Sequence, residues 1–143
     1  ILNSQNFESV TCIDPHSMVA ENCINNLEFT NNGLLVGYAL DNLNYPRGFD
    51  KFILVSPDAG ASHKIYKLAE QIGYKGDIIT CSKERDKDGK LTKCVVPFKL
   101  DYKHKDVIII DDICDGGATF LNIANEIKKL PYFRGKIYLI PNI

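Results

Sequence analysis

Four polar clusters interrupt this chain directly after short apolar runs, and each holds side chains able to grip a phosphate, a sugar or a metal: Asp14-Pro15-His16, Ser56-Pro57-Asp58, Ser82-Lys83-Glu84-Arg85 and Asp111-Asp112. The last opens the segment 111–119, which reads Asp-Asp-Ile-Cys-Asp-Gly-Gly-Ala-Thr. Adjacent carboxylates at Asp111 and Asp112 can accept hydrogen bonds from vicinal sugar hydroxyls, directly or through a metal. Gly116 and Gly117 let the backbone turn tightly and approach an anion. Thr119 and the N–H groups that open the next helix then cradle a phosphate, helped by the helix dipole. The ordinary alternative is an Asp N-cap and a glycine turn.

The other clusters have ordinary readings too. A lone histidine such as His16 is commonly a surface or helix-start residue, and its place beside Asp14 at a strand end is what raises it above that default. A run as dense in charge as Lys83 to Lys90 is by default a solvated loop. Catalytic loops are themselves charged and solvated when empty, so the two readings part only at Lys83 and Arg85. Asp86-Lys87-Asp88-Gly89 lacks the closing Glu and the spacing of a calcium loop. His63 and His104 lie among lysines and read as surface residues.

The elements that must position these clusters alternate between strand and helix. Apolar or β-prone runs at 9–13, 52–55, 78–81, 94–98, 107–110 and 136–140 predict strands. Val107-Ile108-Ile109-Ile110 is apolar on both faces, as a central parallel strand is; Pro97 marks its own strand as an edge. Helical spacing predicts helices over 17–27, 34–43, 62–72 and from Phe120 to Ile127. The asparagine-rich stretch from Glu28 to Gly33 breaks the pattern and is the expected domain boundary, separating 1–33 from 34–143. The predicted fold class is α/β, a mainly parallel sheet flanked by helices. In such sheets ligands bind beyond the C-terminal strand ends, where all four clusters would gather.

With 143 residues, 45% hydrophobic and 24% charged, the chain has the composition of a globular protein. A net charge of −1 supplies no basic field for nucleic acid or a membrane surface, so phosphate binding must come from local geometry. No apolar run approaches the roughly 18 residues of a membrane span. The five cysteines are odd in number and lack CxxC spacing, which favours free buried thiols in a reducing cytoplasm over disulfides or zinc.

Val107 to Phe120 resembles the phosphoribosyl-pyrophosphate motif shared by phosphoribosyltransferases and ribose-phosphate pyrophosphokinases. Val55-Ser56-Pro57-Asp58-Ala59-Gly60, Cys12-Ile13-Asp14-Pro15-His16 and Ser82-Lys83-Glu84-Arg85 are similar to pyrophosphokinase segments in the same order. That resemblance implies a phosphoribosyltransferase-like fold and transfer of pyrophosphate from ATP to ribose 5-phosphate, giving phosphoribosyl pyrophosphate and AMP for nucleotide biosynthesis. It implies that Asp111, Asp112 and Asp115 face the ribose and that Asp115, Gly116, Gly117, Ala118 and Thr119 form the 5-phosphate loop. His16 and Asp58 match its Mg²⁺ and ATP-phosphate positions, and Lys83 and Arg85 its transition-state cations. It also implies a cytoplasmic homo-oligomer with ATP sites shared between subunits.

The chain departs from the family in its 5-phosphate loop, Asp-Gly-Gly-Ala-Thr in place of the usual Asp-Thr-Gly-Gly-Thr. It also lacks the adenine-binding loops of the family's first domain. The expectation is therefore a C-terminal piece, inactive alone: 1–33 ends the first phosphoribosyltransferase-like domain, and 34–143 is the second, with the ribose 5-phosphate site. The competing readings are a phosphoribosyltransferase of nucleotide salvage and a non-catalytic regulatory homologue.

Overall fold

A computed structural model of the chain describes residues 1–15, 19–30, 32–45, 51–85, 87, 91–111 and 113–141, with Arg85, Leu91 and Thr92 described by backbone alone. His16, Asp112 and the segments 46–50 and 88–90 lie outside the described residues. The centre is a four-stranded, all-parallel sheet in the order β4-β3-β7-β8, formed by β3 (Phe52–Ser56), β4 (Ile78–Thr80), β7 (Asp106–Asp111) and β8 (Ile137–Pro141).

Both inner strands are apolar on both faces because both faces are covered. Ile53 and Val55 of β3, with Val107 and Ile109 of β7, point to one face and pack on Phe120, Ile123 and Ile127 of α4 (Ala118–Lys128). Phe52, Leu54, Ile108 and Ile110 point to the other. There they meet Val36 and Leu40 of α2 (Gly33–Asn42) and Ile65, Leu68 and Ala69 of α3 (Ala59–Gln71). Each helix thus buries one stripe at three-to-four-residue spacing. Tyr45, just past α2, donates to Asp106 at the base of β7 and sets its ring against Phe52.

Outside this layered body, β1 (Val10–Ile13) and β2 (Leu27–Thr30) form a separate parallel pair joined through α1 (Val19–Cys23). Both strands alternate half-buried and exposed, and no core hydrophobic precedes Val36 among the described residues. A third unit is the antiparallel hairpin of β5 (Ser82–Arg85) and β6 (Leu91–Val95), which packs on α4.

Two expectations change. Among the described residues the helix expected over 17–27 ends at Cys23, and Leu27–Thr30 is strand where the end of that helix and a break were expected. Leu27 and Phe29 alternate with Glu28 and Thr30, a period of two that the surrounding asparagines obscure. The charged stretch after Cys81 begins as a strand, with Lys83 opposite Cys94 and Glu84 opposite Lys93. Cross-strand pairing and the buried cysteines at its root outweigh the charge of its exposed face. The later strand accordingly starts at Leu91 and ends at Val95, before Pro97. No helix among the described residues is long and apolar enough to cross a membrane.

Face assignment on α4 gives a direct test. Ile123 is fully buried and Leu121 is 62% exposed. Ile123→Ala should cost about 2–5 kcal/mol in a urea melt, whereas Leu121→Ala should stay within about 0.5 kcal/mol of the parent. Equal effects would mean that α4 packs by another stripe.

Candidate active site

The parallel register brings the C-terminal ends of four strands to one edge: Val55 lies opposite Ile109, Ser56 opposite Thr80, and Asp111 opposite Pro141. Neighbouring strands run about 4.8 Å apart, so the segments leaving β4, β3 and β7 start side by side.

At the end of β3, Asp58 turns the chain into α3. Its backbone is extended, and its Oδ1 accepts the Ala61 N–H at 3.0 Å, an N-cap that satisfies a first-turn amide. The turn is braced from both sides: Ser56 Oγ donates to the Asp58 carbonyl at 2.8 Å, and Ser62 Oγ lies 2.9 Å from Thr80 Oγ1. The other carboxylate oxygen, Oδ2, accepts from Nζ of Lys83 at 2.6 Å. Two predicted residues that are 25 apart in sequence are thus in direct contact.

Lys83 is held there by its hairpin. Cys81 precedes β5 and Cys94 faces Lys83 across the ladder; both are 1% exposed and pack in the α4-side core. Burial, then the neighbouring Cys94 thiol, pushes the Cys81 thiol up to about 12, against a smaller opposing pull from Lys83. Burial likewise pushes Cys94 up. Both are inert packing groups that anchor the hairpin root. All five cysteines are free, although only these two are fully buried; Cys23 is exposed. Burial alone would raise the Asp58 carboxyl, but Lys83 and the Ala61 and Gly60 amides outweigh it and hold the carboxyl below its usual 3.8.

At the end of β7, Asp111 is half-buried and lines a small cavity with Asp14, Asn32, Lys64 and Ile110. Beyond it, Asp115, Gly116, Gly117, Ala118 and Thr119 line an open pocket of about 240 Å³ together with Ile113 and Phe120. Gly117 is the N-cap of α4 and adopts φ 71°, a left-handed conformation that only glycine takes without strain. Open space lies before the missing Cβ of Gly116 and of Gly117. The first-turn N–H groups of Ala118, Thr119 and Phe120 have no intrahelical acceptor, and Gly117 has no side chain to offer them. Ala118 is the first helical residue, where an alanine is unstrained. This is the geometry of an anion cradle.

Of the predicted residues, Lys83 meets Asp58, and Asp111 and 115–119 share one strand end and the following helix start. His16 and Asp112 fall outside the described residues, as does the Arg85 side chain. Among the described residues no three of His, Cys, Asp or Glu gather as a metal-binding group. Sequence reasoning missed Ser56, Ser62 and Thr80 as braces of the Asp58 turn, although hydroxyls beside a strand-end Asp are a legible sign. It also missed Lys64 and Asn32, whose partner Asp14 lies too far off in sequence for any local signal.

The Asp58 carboxylate makes a pH prediction. A carboxyl lowered on folding stabilises the fold above its unfolded value near 4, and that contribution is lost as pH falls through the lower folded value. Asp58→Asn keeps a capping oxygen and removes the charge. The stability gap between parent and variant in urea melts should be constant above about pH 5 and shrink below about pH 4; a gap that grows on acidification contradicts the pairing.

No family model matches the chain. Comparison with known proteins finds the ribose-phosphate pyrophosphokinase of Hyphomonas neptunium, 31% identical over 90 residues, which is 63% of this chain and 28% of that protein. Ribose-phosphate pyrophosphokinase 4 of Saccharomyces cerevisiae is 33% identical over 90 residues, 61% of this chain and 26% of its own length. The match thus spans roughly a quarter of these relatives. Among solved structures, a hypoxanthine phosphoribosyltransferase of Staphylococcus aureus superposes with a TM-score of 0.56 at 17% identity, over 76% of this chain and 58% of that one. The fold is phosphoribosyltransferase-like, and over the matched segment the chain is a sequence relative of the ribose-phosphate pyrophosphokinases.

Proposed function

We propose that the protein serves in transfer of pyrophosphate from ATP to ribose 5-phosphate, making phosphoribosyl pyrophosphate and AMP. The observation that carries this reading is the Lys83–Asp58 contact at the same sheet edge as the open glycine cradle of α4. A cradle alone would serve any phosphoribosyl enzyme. The added cation and carboxylate on neighbouring strand ends suit a second, polyphosphate substrate.

In this reading the 5-phosphate sits against the amides of Gly117, Ala118 and Thr119, with Asp115 and Gly116 completing the loop. Asp111 and Asp112 accept from the ribose hydroxyls. The 1-hydroxyl oxygen attacks the β-phosphorus of ATP, the bond from that phosphorus to the α–β bridging oxygen breaks, AMP leaves, and the hydroxyl proton passes to solvent. Such a transfer is mostly positioning and neutralisation of spreading negative charge. A polyphosphate carries more charge than one carboxylate, so Lys83 exchanges Asp58 for phosphate oxygens when ATP binds. Arg85, two residues along the same strand, adds a fork that spans two of them.

Asp58, ionised and built of hard oxygen donors, fits Mg²⁺, which binds one or two carboxylates together with substrate phosphates. Asp58 and His16 would hold it. Bound Mg²⁺ supplies neutralisation of the phosphate oxygens. The same reading makes 1–33, with its separate β1–β2 pair, the end of a preceding domain and 34–143 the ribose 5-phosphate domain, in a cytoplasmic homo-oligomer.

The test is to incubate the full-length protein, of which this chain is expected to be a piece, with ribose 5-phosphate and MgATP and follow AMP. Lys83→Ala should lower turnover about 100- to 1,000-fold and leave ribose 5-phosphate binding within about twofold, because Lys83 pairs with Asp58 and does not line the glycine pocket before α4. Unaltered turnover rejects the role of Lys83. Absence of AMP together with consumption of phosphoribosyl pyrophosphate and a nucleobase would instead support a salvage phosphoribosyltransferase, which has no use for the Lys83–Asp58 pair.

A further inference from the structure

Asp14 follows β1 in a left-handed conformation, φ 43°, which aspartate adopts more readily than most residues other than glycine. Both of its carboxylate oxygens are engaged. Oδ1 lies 3.4 Å from Nζ of Lys64 on α3, and Oδ2 accepts from Nδ2 of Asn32, the residue before α2, at 3.1 Å. The same Lys64 Nζ donates to the carbonyl of Pro15 at 2.8 Å. Asn32 is only 9% exposed, and the Asp14 and Lys64 side chains are 16% and 33% exposed, so water competes weakly for these contacts. The three residues line one cavity with Ile110 and Asp111, the last two residues of β7.

We propose that Lys64 is a positioning residue that fastens the Asp14–Pro15 turn to the catalytic edge beside Asp111. One ammonium on a buried-sheet helix reaches both a side chain and a backbone carbonyl of a turn that belongs to the other sheet. The β1–β2 pair adds little apolar burial, since its described residues contribute no fully buried hydrophobic side chain. His16 follows Pro15 directly in the chain and lies outside the described residues; a tether at Asp14 and Pro15 would constrain the backbone that leads to it. The importance of His16 rests on the function proposed above; the tether itself does not. Asp14, beside the histidine in sequence, is on this account a buckle, with Lys64 and Asn32 as its two catches.

The experiment compares uniformly ¹³C,¹⁵N-labelled wild-type chain with Lys64→Met, Lys64→Arg and, in case Lys64→Met fails to fold, Asp14→Asn. The ring signals of His16 and the backbone amides of Ile13 and Asp14 are read by NMR without metal. Lys64→Met and Asp14→Asn should shift all three, while the amides of Ile108 and Ile109 stay in place and Lys64→Arg restores the parent positions. Signals at Ile13, Asp14 and His16 that match the parent in Lys64→Met, or a His16 ring that matches the parent in Asp14→Asn, would overturn the tether. A second titration with Mn²⁺ and ATP separates the tether from the function. Selective broadening of the His16 ring in the parent should require about tenfold more Mn²⁺ in Lys64→Met and recover in Lys64→Arg. Equal broadening in parent and Lys64→Met would overturn the positioning role. No broadening in the parent would contradict the metal assignment of His16, while the shift comparison would still decide the tether.

Discussion

β3 is buried along all five of its residues and β7 along its four central ones, and the two run parallel in register from Phe52 opposite Asp106 to Val55 opposite Ile109. Everything chemical in the molecule depends on that pairing. A parallel register puts Asp58 and Asp111 at the same end of adjacent strands, and slipping it by one residue would turn every buried side chain to the opposite face. Burial on both faces forbids such a slip, because the apolar sets facing α4 and facing α2 and α3 are filled by different residues. The hydrophobic effect that closes the core is therefore also what aligns the polar edge.

Along that edge, the three non-helical attachments are secured by different forces. The hairpin carrying Lys83 is anchored by apolar packing of Cys81 and Cys94. The cradle before α4 is shaped by backbone conformation at Gly117 and needs no side chain. The Asp14 turn is fastened by charge and hydrogen bonds to Lys64 and Asn32. This third attachment is the electrostatic one, and it joins the two sheets.

Much of this was legible in the sequence. Val107 to Ile110 and Phe52 to Val55 read as buried strands because a two-sided apolar strand has no polar face to confuse the pattern. The strand end at Asp111, the glycine turn and the start of α4 were legible because these signals act locally. What was hidden is non-local or weakly periodic. β2 lies among asparagines and has only Leu27 and Phe29 to mark its inner face. β5 looks like a loop, since its pairing with β6 and the burial of its flanking cysteines cannot be seen from charge density. Asn32 and Lys64 converge on Asp14 from 18 and 50 residues away, a closeness that the fold alone creates.

The central claim is that this sheet edge holds a sugar phosphate by the amides that open α4. Titrating ¹⁵N-labelled chain with ribose 5-phosphate tests it most directly. The expected result is saturable shifts concentrated at the amides of Gly116 to Thr119, with inorganic sulfate competing for them and β1–β2 unmoved. Shifts scattered over the surface lysines, or no shift in the α4 loop at concentrations where other amides respond, would contradict it.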